Sequence, residues 1–259
     1  MRLMLLNQAP RNPKMPKSEV DTLVNQFASY VSPGTELEYH FVDDFPGAKV
    51  HLVQGEAQAL NGLHHVLEAP AIIRKVAWAA ENGFDAVIQT NTFDPGVEGS
   101  RLAVRIPVIG LLRTALHVAA TLCDRIGIMA PLSGDLPGAW RTICTYHMDH
   151  MVVGMQALEI YSPDLEQRKS EIFDKTCALI QTLIRVNGAE AIIPLGAKLV
   201  PYVVDPREIE KAVGVPVLNT TALGIQYAEM CVRLGLVHSQ RSYPPCQAKY
   251  EHFLQNAFN

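Results

Sequence analysis

Asn82-Gly83-Phe84-Asp85-Ala86-Val87-Ile88 and, later in the chain, Asn187-Gly188-Ala189-Glu190-Ala191-Ile192-Ile193 are two versions of one phrase. In each, an Asn-Gly pair of the kind that stops a helix is followed by an acidic residue and a short apolar run of strand character. The match extends outward. Ile106-Pro107-Val108-Ile109 corresponds to Val215-Pro216-Val217-Leu218, Thr114-Ala115-Leu116 to Thr221-Ala222-Leu223, and Cys123-Asp124-Arg125-Ile126-Gly127 to Cys231-Val232-Arg233-Leu234-Gly235, all 105 to 109 residues apart. Self-similarity at a near-constant spacing reads as a duplicated βαβα unit. The expected class is therefore α/β, with two similar lobes of parallel sheet, residues 1–113 plus 219–259 forming one and 114–218 the other. One continuous doubly wound sheet is the alternative.

Apolar runs place strands over 2–6, 37–42, 86–89, 108–111, 125–129, 158–161, 191–195 and 215–218. Apolar residues at helical intervals place long helices over 56–82 and 164–186. Ligands of open α/β sheets bind at the carboxyl ends of the strands, so four loops mark the cleft: 7–10, 90–96, 196–201 and 219–221.

Composition excludes several partner classes. Across 259 residues, 22 Lys+Arg against 26 Asp+Glu leave a net charge of −4. Without a basic stripe there is no footprint for a phosphate backbone, so no nucleic acid is expected. The longest apolar stretch, 106–132, is broken by Gly110, Arg113, His117, Asp124 and Arg125, so no membrane span is expected. The opening Met1 to Gln8 is too short for a signal-peptide core, and five cysteines without CxxC spacing suit a reducing compartment; both make a cytoplasmic location the expectation. A homo-oligomer is the expected assembly.

Further segments carry a family likeness: the first strand ending at Asn7, Phe93-Asp94-Pro95-Gly96, Ile106-Pro107-Val108-Ile109-Gly110, Ala115-Leu116-His117-Val118-Ala119-Ala120, Gly214-Val215-Pro216-Val217, Ala228-Glu229 and Leu234-Gly235-Leu236. In this order the chain resembles the aspartate/glutamate racemase superfamily, most of all its hydantoin racemase branch. The resemblance implies two pseudosymmetric Rossmann-like lobes with parallel sheets, a small carboxylate or cyclic amide substrate between them, proton abstraction beside a carbonyl, and no organic cofactor or metal. It also implies two opposed cysteines at strand ends, one acting as acid and one as base. Both are absent: Asn91 stands at the first position and Ala197 at the second. Cys123, Cys177 and Cys231 read as core residues, while Cys144 and Cys246 lie away from the strand ends.

Lys198 is then the titratable nitrogen nearest the lost thiols, able to serve as base, as Schiff-base nucleophile or as a fixed cation. Asn91 and Thr92 offer an amide and a hydroxyl to a substrate oxygen, and the amides around Gly196 and Ala197 can hold an oxyanion. The resemblance puts Asn7 and Gln8 in the substrate-carboxylate position; Asn219, Thr220 and Thr221 close the last strand. Asp94 is the matching carboxylate of the first lobe, with a turn cap as its other reading. His117 and Tyr202 read first as packed core residues. His147-Met148-Asp149-His150 offers two imidazoles three residues apart, a weak metal pattern without a third ligand, and His64-His65, on different helical faces, is weaker still. The expected activity is a cysteine-independent isomerase; the rivals are a lyase, decarboxylase or hydrolase on the same scaffold, a metal-dependent hydrolase built on His147 and His150, and a non-catalytic binder of small carboxylates.

Overall fold

The computed structural model describes residues 1–13, 16–48, 62–160 and 164–246. Its strands form two separate parallel sheets. The first runs β2-β1-β3-β4, from β1 (Arg2–Asn7), β2 (Glu36–Phe41), β3 (Ala86–Gln89) and β4 (Val108–Gly110). The second runs β6-β5-β7, from β5 (Ile126–Ala130), β6 (Val152–Ala157) and β7 (Ala191–Pro194). The helices are α1 (Lys17–Ala28), α2 (Leu63–Glu81), α3 (Val97–Ala103), α4 (Leu111–Ala119), α5 (Leu136–Thr145), α6 (Lys169–Asn187), α7 (Pro206–Val213) and α8 (Thr220–Leu234). None of the helices is long and apolar enough to cross a membrane. Both Asn-Gly pairs end helices: Gly83 follows α2 at φ +75° and Gly188 follows α6 at φ +69°. That left-handed backbone is open to glycine and strained for most other residues.

Side-chain alternation explains why each sheet is buried on both faces. On β1, Met4 and Leu6 point into a core shared with Ala71, Ile72 and Val76 of α2, while Leu3 and Leu5 meet Phe27 of α1 and Ile225 of α8. On β5, Ile126 and Ile128 pack with α4 and α5, and Met129 packs with Ile172 and Ile180 of α6.

Two predicted strands differ from what forms. The strand expected over 158–161 is instead β6, with Leu158 and Ile160 buried beyond its end and Tyr161 outside the described residues. As an edge strand, β6 is half-buried along its whole length and interrupted by Gly154, so it lacks the apolar run that marks a central strand. The strand expected over 215–218 reduces to a single bridge between Ile192 and Val217. Pro216 accepts from Ile192 N but has no N–H of its own with which to extend the ladder. Of the helix predicted over 56–82, residues 56–61 lie outside the described residues. The helix predicted over 164–186 opens with a 3-10 turn, Leu165–Arg168, ahead of α6.

Helix α4 joins the two halves. Leu111 packs in the core beneath the first sheet, whereas Leu112, Ala115, Leu116 and Ala119 belong to the core beneath the second. Its first turn is held by Asp94, whose Oδ1 accepts from Leu112 N (3.0 Å) and whose Oδ2 accepts from Arg113 N (2.9 Å) and from the Tyr146 hydroxyl (3.0 Å). Burial pushes this carboxyl above the usual aspartate range, against the pull of those three donors. A Cβ on Gly110 would stand 2.5 Å from Asp94 Cγ. Gly110→Ala is therefore expected to cost about 1–3 kcal/mol of stability in urea unfolding; a midpoint equal to the parent's would show that the carboxylate can step aside.

Candidate active site

The loop after β3 and the loop after β7 meet directly. Gly196 N donates to Thr92 Oγ1 at 2.7 Å, and Thr92 is fully enclosed, at 1% exposure. Asn91, one residue earlier, is buried; its Oδ1 accepts from Phe93 N and its own N donates to Gln89 Oε1. Ala197 is buried beside Gly196, and Lys198 follows at the start of an irregular helical segment, Lys198–Val203. The Lys198 side chain remains accessible to water, yet protein crowds it closely enough that burial lowers its ammonium pKa, with Glu19 of α1 opposing. A lowered ammonium pKa is what a lysine base requires.

A second seam lies on the other side of this loop. Gln26 of α1 donates to Pro201 O at 3.1 Å, and the Phe27 ring sits edge-on to both Tyr39 and Tyr202, with centroids 5.3 Å away in each case. Asn7 Nδ2 donates to the Tyr39 hydroxyl at 2.6 Å and Thr221 Oγ1 to the Tyr202 hydroxyl at 3.4 Å, so the ends of the first and last predicted strands converge on one aromatic group. Gln8 is half-buried beside Asn7.

Several candidates carry structural duties. Asn7 Oδ1 closes a turn on Ala9 N, and Asn219 Oδ1 caps α8 through Ala222 N. Both oxygens of Asp94 are engaged at α4. Thr220 is fully buried, and its hydroxyl has no hydrogen-bond partner among the described residues. Tyr202 packs as expected, whereas His117 is exposed rather than core, with Nδ1 against Arg113 O at 2.7 Å. Cys231 is buried, and Cys123 and Cys177 are half-buried against the cores on the two faces of the second sheet.

Helix α2 contributes Glu68, which the sequence reading passed over, and His64 and His65, which it ranked as the weakest metal pattern. His65 stacks on Phe93 at 4.7 Å, and its Nδ1 lies 3.3 Å from Asn91 Nδ2 and 3.5 Å from Glu68 Oε2. The His64 and His65 rings stand 3.9 Å apart. Ligand atoms of His64, His65 and Glu68 all lie within 4.8 Å of one another, and among the described residues no other group of three His, Cys, Asp or Glu converges, His147, Asp149 and His150 included. Burial holds both imidazoles down at about 4 and raises the Glu68 carboxyl to about 9. The signal was present in the spacing: at about 100° per residue, Glu68 falls between the two histidines in azimuth, roughly 40° from one and 60° from the other.

A sequence profile described as Asp/Glu/Hydantoin racemase matches residues 17–228, most of the chain. The chain belongs to this family. It is a racemase-type enzyme, similar to a hydantoin racemase of Rhizobium meliloti, with 24% identity over 195 residues that cover 74% of this chain and 80% of the relative. Its fold is shared with the allantoin racemase of Pseudomonas fluorescens (TM-score 0.81, 23% identity, 96% of this chain and 98% of that one). The allantoin racemase of Klebsiella pneumoniae is similar as well (TM-score 0.79, 19% identity, covering 96% and 94%). Within the family this chain carries Asn91 and Ala197 where the resemblance sets thiols, and those two loops are the ones joined by the Thr92–Gly196 hydrogen bond.

Removing the Thr92 hydroxyl would leave the Gly196 N–H without that acceptor. Thr92→Val is expected to lower stability by about 1–3 kcal/mol while Thr92→Ser stays close to the parent. Thermal unfolding of the pair decides the matter, since equal losses in both would assign the effect to packing instead.

Proposed function

We propose that this enzyme inverts the configuration at a carbon beside a carbonyl in a small cyclic amide of the hydantoin or allantoin kind, or in a small carboxylate, without a thiol pair. The observation that carries the reading is the contact between Thr92 and Gly196, because it sets the loop of Asn91 against the loop of Lys198. Lys198 is assigned as the base. Its Nζ, as the free amine, takes the α-proton, the electron pair moves onto the carbonyl oxygen as an enolate, and water returns a proton to the opposite face. The hydroxide left behind takes the proton from the Lys198 ammonium, restoring amine and water. Asn91 is assigned to the substrate oxygen, together with backbone amides at Gly196 and Ala197, where a fixed donor is worth most because it faces charge that develops only during reaction. Thr92 takes part by fixing that loop. Asn7 and Gln8 are assigned to the rim that holds the rest of the substrate, Thr220 and Thr221, both fully buried, to the layer behind it, and Asp94 and Asn219 act from behind through the helices they cap. No cofactor is assigned to this chemistry. The reading takes residues 1–113 with 219–259 as one lobe and 114–218 as the other, in a homo-oligomer.

The reaction is checked in heavy water. A 5-substituted hydantoin or allantoin is expected to gain deuterium at its stereogenic carbon faster than the uncatalysed background, and no exchange above background with cyclic amides or amino acids would overturn the assignment. Lys198→Ala is expected to lose about a hundred- to ten-thousand-fold in kcat with an unchanged circular dichroism spectrum. An unaltered rate would remove Lys198 from the mechanism.

A further inference from the structure

The first turns of α2 present a donor set outside the chemistry assigned above. We propose that His64, His65 and Glu68 bind one divalent first-row transition-metal ion, of the zinc class, in the wall of the cleft beside Asn91. Two imidazoles and a carboxylate, with a further position left open, form a donor set that suits such ions and gives hard alkaline-earth cations little reason to bind.

Three observations carry the assignment. The first is distance. Bonds of about 2.1 Å to a tetrahedral ion put two ligand atoms about 3.4 Å apart, and His65 Nδ1 already stands 3.5 Å from Glu68 Oε2. The 4.8 Å limit that encloses all three donors leaves only small side-chain rotations to close the set. The second is enclosure: Glu68 is 0% exposed and His64 8%, so a carboxylate and an imidazole sit out of water on consecutive turns of one helix, where hydration competes least with an ion. The third is rigidity. His65 packs against both the Phe93 ring, stacked at 4.7 Å, and the His64 ring, tilted at 3.9 Å, which limits the conformational freedom lost on binding. Because Asn91 Nδ2 lies 3.3 Å from His65 Nδ1, an ion taken up through that nitrogen would displace the Asn91 amide from its present contact.

The site is tested by binding rather than turnover, so the result does not depend on the reaction proposed for the cleft. The full chain, stripped with a chelator, is titrated with Co²⁺ and the visible d–d absorption is followed; Zn²⁺ is then added in competition, and metal content is measured after dialysis. The expected result is a saturable band at one ion per chain that Zn²⁺ abolishes. Glu68→Gln and His65→Ala are expected to weaken Co²⁺ at least about tenfold, while the double variant His147→Ala/His150→Ala binds as the parent does. Circular dichroism identifies variants that fold, and the near-isosteric Glu68→Gln keeps the test decisive if His65→Ala does not. Absence of a saturable band, or an undiminished band in folded Glu68→Gln, overturns the proposal.

Discussion

The carboxylate of Asp94 is the constraint on which the arrangement of the two sheets rests. A single side chain in the loop after β3 satisfies two amides in the first turn of α4 and the hydroxyl of Tyr146, which is itself packed in the core beneath β5. Helix starts leave amide groups without partners, and an acidic group there is stabilising for both its hydrogen bonds and its charge. Here that local requirement joins one sheet to the other. Gly110 is part of the same device, since the space a side chain would take there is filled by the carboxylate.

Around this anchor the racemase scaffold is kept, while the thiols that the resemblance implies are absent from the sequence. The loops that would carry thiols are in place, in contact, and built of an amide side chain, a hydroxyl, small residues and a lysine. A thiol pair shares the work of acid and base symmetrically between lobes. In the proposed reading a lysine beside the Gly196 and Ala197 amides faces the Asn91 amide, so the base and part of the oxyanion support come from one loop.

The sequence conveyed the fold well because the fold is periodic. The repeat, the Asn-Gly stops and the central strands all register in local residue choice, and β1, β3, β5 and β7 lie within a residue or two of the runs that announced them. Edge elements were harder to see. Half-buried β6 has no apolar run, and the stretch around Val217 is cut short by a proline. Of the candidate site, the loops could be named in advance because strand ends are fixed by topology, but partners could not: the pairing of Asp94 with Tyr146 spans 52 residues and that of Thr92 with Gly196 spans 104. His65 and Glu68 were legible as helical spacing, yet their relation to Asn91 depends on how α2 lies along the first sheet, which no local pattern records.

The hydrogen bonds made by Asp94 and by Thr92, both in the loop after β3, are unequal. At Asp94 three donors converge on a buried carboxylate, whereas at Thr92 one neutral hydrogen bond, worth about 1 kcal/mol net, reaches Gly196. Opening the Thr92–Gly196 contact would sacrifice one neutral hydrogen bond and leave the set at Asp94 intact. A substrate that replaced the Thr92 hydroxyl as partner of the Gly196 amide would therefore enter as a competitor for one bond, and its departure would restore that bond within the protein.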